Sequence, residues 1–429
     1  MEITQASTAA PEEAPPARLW NRNFFLLWQG AAISQLGNQA SSLAMTYWAL
    51  EKTGSASTIG LLMAVAVLPG VLLAPFGGTF ADRSNRVRIL VVCDLLSGLG
   101  VLLLAGAMLL TESNRTVLTM FFVVAMLGGL IRSFFSPAAA AVMPDLVPRE
   151  RLAAANSFNY FTAQVSSILG MAAGGVLYKY FGAVRLFVFD GISFLLSGVT
   201  EMFIQAPTKA PRREKAQSWR QAAREFLGET REGVRYVWER PGLRNFVGVA
   251  TSINFFLMPV YVLFPFYVQD YLQAEADWYG FLMGINSAGA VAGFVLASTL
   301  KIQGEARTWT LIFNLIAGPL FLGLVGFVTL PALALAFSFV SGAALGMFNI
   351  YIMTLLQRST PSELRGRVIG LLGTLGGAAM PLGMALGGLL GDLTGKNVPL
   401  VFGVCTALSV LTTLVLATRK ECRLFLRQA

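Results

Sequence analysis

Apolar residues fill most of the chain in long runs that short polar clusters interrupt. The runs lie near residues 24–50, 57–81, 89–111, 116–138, 152–178, 184–206, 244–269, 278–300, 308–328, 331–355, 366–391 and 398–418. Each is about the roughly 20 residues that a helix needs to cross a bilayer. The pattern therefore predicts an all-α membrane protein with twelve transmembrane helices, six on either side of the polar stretch 207–242. Residues 1–19, with Pro11, Glu12, Glu13, Pro15, Pro16 and no apolar run, are expected to be a disordered tail and not a cleaved signal. The remaining divisions are a first half at 20–206, a second at 243–418 and a short tail at 419–429. Within the linker, Trp219, Ala223, Phe226, Val234 and Val237 share a helical stripe, with Arg220, Arg224, Arg231 and Arg235 off it. Such a helix lies on an anionic membrane surface or rests on the ends of the bundle.

The two halves echo each other. Residues Leu169 to Leu177 recur as Leu382 to Leu390 with seven identities in nine, 213 positions later. The same offset carries Pro148 onto Pro361, Glu150 onto Glu363 and Gly182 onto Gly395. Paired repeats in so apolar a chain mark secondary transporters, in which one half rocks against the other around a site at mid-membrane. The glycines at the heart of the repeat, Gly170, Gly174 and Gly175 with Gly383, Gly387 and Gly388, are spaced for close helix packing.

Charge adds sidedness. If both termini face the cytoplasm, that side holds 26 of the 32 Lys and Arg, the opposite side holds five, and Arg132 alone lies inside a span. Basic residues are retained on the cytoplasmic face during insertion, so the net charge of +9 is a topology signal. Scattered in short loops, these charges do not form the single basic face that nucleic-acid binding needs. Composition agrees with a membrane protein, at 55% hydrophobic and 13% charged. With no histidine in the chain, Ser-His-Asp catalysis, His-ligated metals and His proton relays are excluded. Cys93, Cys405 and Cys422 are read as reduced thiols, and no P-loop is present. The expectation is a chain that is not an enzyme, needs no cofactor and draws on an ion or substrate gradient.

Between the second and third runs stands Gly78-Thr79-Phe80-Ala81-Asp82-Arg83-Ser84-Asn85-Arg86-Val87-Arg88. This resembles the G-x-x-x-D-R-x-G-R-[KR] signature of the major facilitator superfamily, departing from it at Asn85 and Val87. Asn, like Gly, tolerates a left-handed turn. Gly170 to Gly175 looks like the antiporter signature G-P-x-x-G-G, with Met171 where that family has Pro. Phe135-Ser136-Pro137-Ala138, Met143-Pro144-Asp145, Asn156 and Arg365-Gly366-Arg367-Val368 are similar to the branch containing macrolide efflux pumps and the enterobactin exporter. The resemblance implies two pseudo-symmetric six-helix halves, multi-pass in a bacterial cytoplasmic membrane, working as a monomer by alternating access. It also implies a central cavity lined by the first, fourth, seventh and tenth spans.

On the first span Gln35, Asn38, Gln39 and Ser42 fall at i, i+3, i+4 and i+7, one polar face on an apolar helix. The seventh offers Asn254, Met258, Tyr261 and Pro265, and the tenth Ser338, Ser341 and Asn349. Amides, hydroxyls, Met and aromatics suit an amphipathic small molecule of little charge, a drug or siderophore; a lysophospholipid carrier is the alternative, and a transport-inactive receptor a second. Ionisable groups inside spans are expensive and usually functional or paired. Asp82, Arg83, Arg86, Asp94 and Arg132 are expected to form one charge network gating the cytoplasmic side, with contacts that exist only while that side is closed. Asp190 is either an ion pair with Arg185 or the carboxylate that exchanges protons.

Overall fold

The computed structural model describes residues 19–205, 228, 231–232, 234–300 and 302–426. Helices build all of the architecture within them. They are α1 (Arg22–Thr53), α2 (Ala56–Arg83), α3 (Arg86–Leu110), α4 (Asn114–Leu146), α5 and α6 as the two arms of Leu152–Glu201, α7 (Pro241–Phe266), α8 (Ala276–Thr299), α9 (Gly304–Val325), α10 (Pro331–Ser359), α11 (Ser362–Leu393), α12 (Val398–Thr418) and the short α13 (Lys420–Leu426). The α5 and α6 arms part at Gly182, whose φ of 72° is open to glycine but costly for other residues. Its repeat mate Gly395 has a φ of 61° where α11 hands over to α12, so the duplication extends to backbone conformation.

Side-chain caps start several helices. Asn21, Ser55, Ser113 and Asn397 accept the backbone N–H groups of Phe24, Thr58, Thr116 and Leu400, donors that would otherwise be orphaned. Asn85 belongs with them: its φ is −67° and its Oδ1 accepts from Arg88 N at 3.1 Å. The residue is thus an N-cap for α3 and not the left-handed turn expected from the signature. By length and apolarity, ten helices among the described residues suffice to cross a bilayer. The twelve-part division is finer at two places. Leu152–Glu201 is one helical run turned at Gly182, and α1, with its amides in mid-helix, falls below the apolarity of the others.

Packing makes two halves of like design. In the first, α1 lies on α5 and α6, α3 on α6, and α2 on α4; in the second, α7 lies on α11, α9 on α12, and α8 on α10. Two seams join them, α2 with α11 and α5 with α8. Large apolar side chains such as Leu110 (89% exposed) and Phe313 (66% exposed) face outward, as surfaces bathed in lipid do. Of the linker stripe, Trp219, Ala223, Phe226, Arg220 and Arg224 lie outside the described residues. Val237 is buried while Val234 is exposed, and Tyr236 donates to Ser359 O at 3.4 Å, tying this segment to the end of α10.

Candidate functional site

The two faces of α1 do different work. Gly30, Gly37 and Ser41, seven and four residues apart, turn toward α6, where Cβ atoms on Gly30 and Gly37 would collide with Ser197 and Asp190. Gln35, Asn38, Gln39 and Ser42 occupy the opposite side by helical spacing. Gln35, Asn38 and Gln39 are half-buried, Ser42 is exposed, and none of the three amides makes a side-chain hydrogen bond among the described residues. Amides left unpaired at this depth are suited to meeting a ligand or water.

Further along α1, aromatic rings from both halves meet. Tyr47 of α1 lies 5.8 Å from Tyr178 of α5 and 5.6 Å from Tyr279 of α8 between ring centroids. Tyr261 stands near Tyr279. The other expected lining residues divide. Asn349 is exposed with its amide on Leu345 O at 3.0 Å, and Asn254 is half-buried with its amide on Ala250 O at 2.9 Å. Met258 is 6% exposed and wedged beside Gly383, so it packs between α7 and α11. Ser338 and Ser341 are fully buried: Ser341 donates to Gly318 O of α9 at 2.8 Å, and the Ser338 carbonyl accepts from Asn286 of α8 at 2.9 Å. At these two positions α10 is held to its neighbours, and neither side chain faces a cavity.

The halves are sealed at the end that carries few basic residues, here called the distal end. Asp392 at the end of α11 accepts from Ser55 Oγ at 2.8 Å, Ala56 N at 2.9 Å and Ser57 N at 3.0 Å, capping the start of α2 across the seam. Lys179 at the end of α5 reaches Glu275 at 3.1 Å and Asp277 at 3.4 Å, at the start of α8. Positions 179 and 392 are 213 apart, the offset of the repeat. That offset is the signal that would have singled them out in the sequence.

The repeated glycines lie directly beneath. A Cβ on Gly174 would fall 2.8 Å from Ala40 Cα of α1, and on Gly387 it would strike Pro259 Cα of α7, both within one half. A Cβ on Gly175 would fall 2.7 Å from Ala276 O, and on Gly388 2.5 Å from Ala56 O, both across the seam. Gly170 and Gly383 close on Leu36 and Gln39 of α1 and on Phe255 and Met258 of α7. The motif is thus two-sided, with two glycines binding each half together and the third admitting the other half.

At the arginine-rich end, Arg86, Asp94 and Arg132 are not joined to one another among the described residues. Arg86 donates to Asp145 at 2.7 Å and to Ala141 O at 2.9 Å, both on α4 of its own half. Asp94 is 2% exposed and faces α6, whereas Arg132 is exposed on α4. α3 and α4 touch at this level through Cys93 and Ile131 O, but Asp94 is turned inward and Arg132 outward. Asp82 and Arg83 end α2, and their side chains lie outside the described residues. Asp190 is 1% exposed and lies against Gly37 of α1. Its supposed partner Arg185 is exposed, with its guanidinium 5.9 Å from the Phe181 ring. No ion pair joins Asp190 and Arg185.

The family model described as Major Facilitator Superfamily matches residues 27–377 and 262–421. Macrolide efflux protein A of Streptococcus pyogenes is 26% identical over 396 residues, 88% of this chain and 91% of that protein. The multidrug efflux pump Tap of Mycolicibacterium fortuitum is 25% identical over 384 residues, 87% of this chain and 90% of that one. Among solved structures, a bacterial homologue of the iron transporter ferroportin in an inward-facing state superposes with a TM-score of 0.68 at 17% identity, over 93% of this chain and 99% of that chain. The D-xylose-proton symporter gives 0.68 at 17% identity, over 91% and 97%. At such identities the structural likeness is one of fold.

Proposed function

Since the chain belongs to the Major Facilitator Superfamily, it is a multi-pass membrane transporter of small molecules and not an enzyme, and we propose that it exports an amphipathic compound in exchange for protons. The observation that carries this reading is the distal seal: Asp392 and Lys179 close the seams at one end, and α1 carries a face of unpaired amides and, further along, meets aromatic rings from both halves. A site sealed at one end and reached from the other is what alternating access requires of one of its states. The excess of basic residues at the other end supports a cytoplasmic location for that end and for both termini, and on this reading the conformation closed at the distal end is the inward-facing one. The efflux activities in the names of the two relatives support export and a drug-like substrate.

Within this reading the α1 amides with Tyr261, Asn254 and Asn349 hold the substrate. Asp190 carries the coupling proton, being a carboxylate buried without a cation in a chain that has no histidine. Asp82 and Arg83 tie the cytoplasmic rim when it closes, and one chain is the working unit. The test is uptake of a labelled macrolide into inside-out vesicles under an imposed proton gradient, acid inside. Accumulation that collapses with a protonophore supports the proposal. Uptake indifferent to the gradient, for macrolides and other amphipathic drugs alike, overturns it.

A further inference from the structure

Two carboxylates meet inside the first half, away from the cavity. Asp94 of α3 is 2% exposed and Glu201, the last residue of α6, is fully buried. A Cβ on Gly198, three residues before Glu201 on α6, would fall 3.4 Å from Asp94 Cβ, so α3 brings Asp94 against the stretch of α6 that carries Glu201. Asp94 Oδ2 and both carboxyl oxygens of Glu201 have no hydrogen-bond partner among the described residues. Ser197, one turn before Glu201 on α6, is 2% exposed, and its hydroxyl lies against Gly30 of α1.

Among the described residues, the positive charges of α1, α3 and α4 near this end are turned elsewhere. Arg22 on α1, Arg88 on α3 and Arg132 on α4 are exposed, and Arg86 is taken by Asp145. Cys93, the other titratable neighbour, directs its thiol to Ile131 O of α4 at 3.9 Å. Ionising both acids would leave two uncompensated like charges in an apolar interior, which is far costlier than one. The acids also continue a stripe. Asp190, Ser193, Ser197 and Glu201 are spaced by three, four and four residues on one face of α6, a track about 16 Å long at 1.5 Å per residue. It runs behind α1, along the side bared by Gly30 and Gly37.

We propose that Asp94 and Glu201 hold one shared proton and form the inner station of a proton track along α6 whose outer station is Asp190. Substrate and proton then travel on opposite sides of α1, which faces the cavity with its amides and the track with its glycines. Coupling follows because a shift of α1 toward bound substrate alters the packing around both acids. The step is proton transfer alone: an O–H bond forms at one carboxylate as it breaks at the donor, and water at the two faces supplies and accepts the proton. The proposal rests on the proton-coupled reading above, extending it from one residue to a path.

The experiment uses the purified full chain in proteoliposomes, with wild type, D94N, E201Q, D94N/E201Q, S197A and D190N. Infrared difference spectra between acid and alkaline buffers report protonated carboxyls without requiring transport. The expected result is a buried carboxyl band present in wild type, in each single variant of the pair and in D190N, and reduced in D94N/E201Q to the part that Asp190 contributes. Proton-driven accumulation in the double variant falls about tenfold or more while downhill exchange persists. S197A slows proton-coupled uptake several-fold with the band intact. Should D94N/E201Q fail to fold, D94N and E201Q carry the transport test, since each keeps one acid and near-native shape. A double variant with the wild-type band and pH dependence overturns the proposal, as does a band that follows sodium instead of pH. If D190N alone keeps full accumulation while the pair's band and its coupling effect remain, the role given to Asp190 fails and the shared-proton site stands.

Discussion

Asp190 is the residue on which coupling turns in this account, and its surroundings fix what a substitution should do. Asp190→Asn preserves volume and mimics the protonated acid, so vesicles carrying it should lose proton-driven accumulation while exchange down a substrate gradient continues; full pH-dependent uphill transport in this variant would refute the assignment. The residue scale was only partly legible in the sequence. The polar face of α1 follows from spacing alone, because a helix repeats every 3.6 residues whatever packs on it. Arg86 and Asp145 are 59 positions apart, and nothing local announces their pairing. Ser338 and Ser341 looked like cavity hydroxyls, yet periodicity says which side chains share a face without saying what that face meets. For the same reason Asp94 and Arg132 were joined by depth although different neighbours surround them.

At the scale of elements the duplicated helix is the informative piece. A leucine at Gly174 or Gly387 must displace backbone of α1 or α7, so both substitutions should lower the yield of folded protein and its melting temperature, with overpacking of about 1–3 kcal/mol or more. Alanine at Gly175 or Gly388 adds a single methyl against a carbonyl of the opposite half. These variants should express near wild-type levels but resist closing the distal seam, read as faster labelling of a cysteine placed at Ser57. Equal yields and labelling rates for all four variants would mean that the motif is not a seam. The repeat could be read from sequence because Pro, Glu and Gly matches flank it. Its two-sidedness could not, since which glycine meets its own half and which meets the other depends on the rotation of α5 and α11 within the bundle.

Over the whole molecule, two carboxylates are set against each other. Asp392 closes the distal end in this conformation, and Asp82 is proposed to close the arginine-rich end in the opposite one. Asp392→Asn loses charge-assisted bonds at an exposed rim, worth about 1 kcal/mol or roughly a fivefold change in population toward the distal-open state. Asp82→Asn should move the same equilibrium the other way, and both should slow transport with little effect on folding. Two six-helix halves were legible because every span had to be apolar. The state of the molecule was not, since one sequence encodes both conformations. The most direct measurement places spin labels at Lys52 and Asp270 across the distal end and at Arg149 and Gln357 across the arginine-rich end, then follows both distances with substrate and pH. The account predicts a short distal and a long arginine-rich distance at rest, exchanging reciprocally on the addition of substrate and protons. Two distances that stay fixed, or that lengthen together, would contradict it.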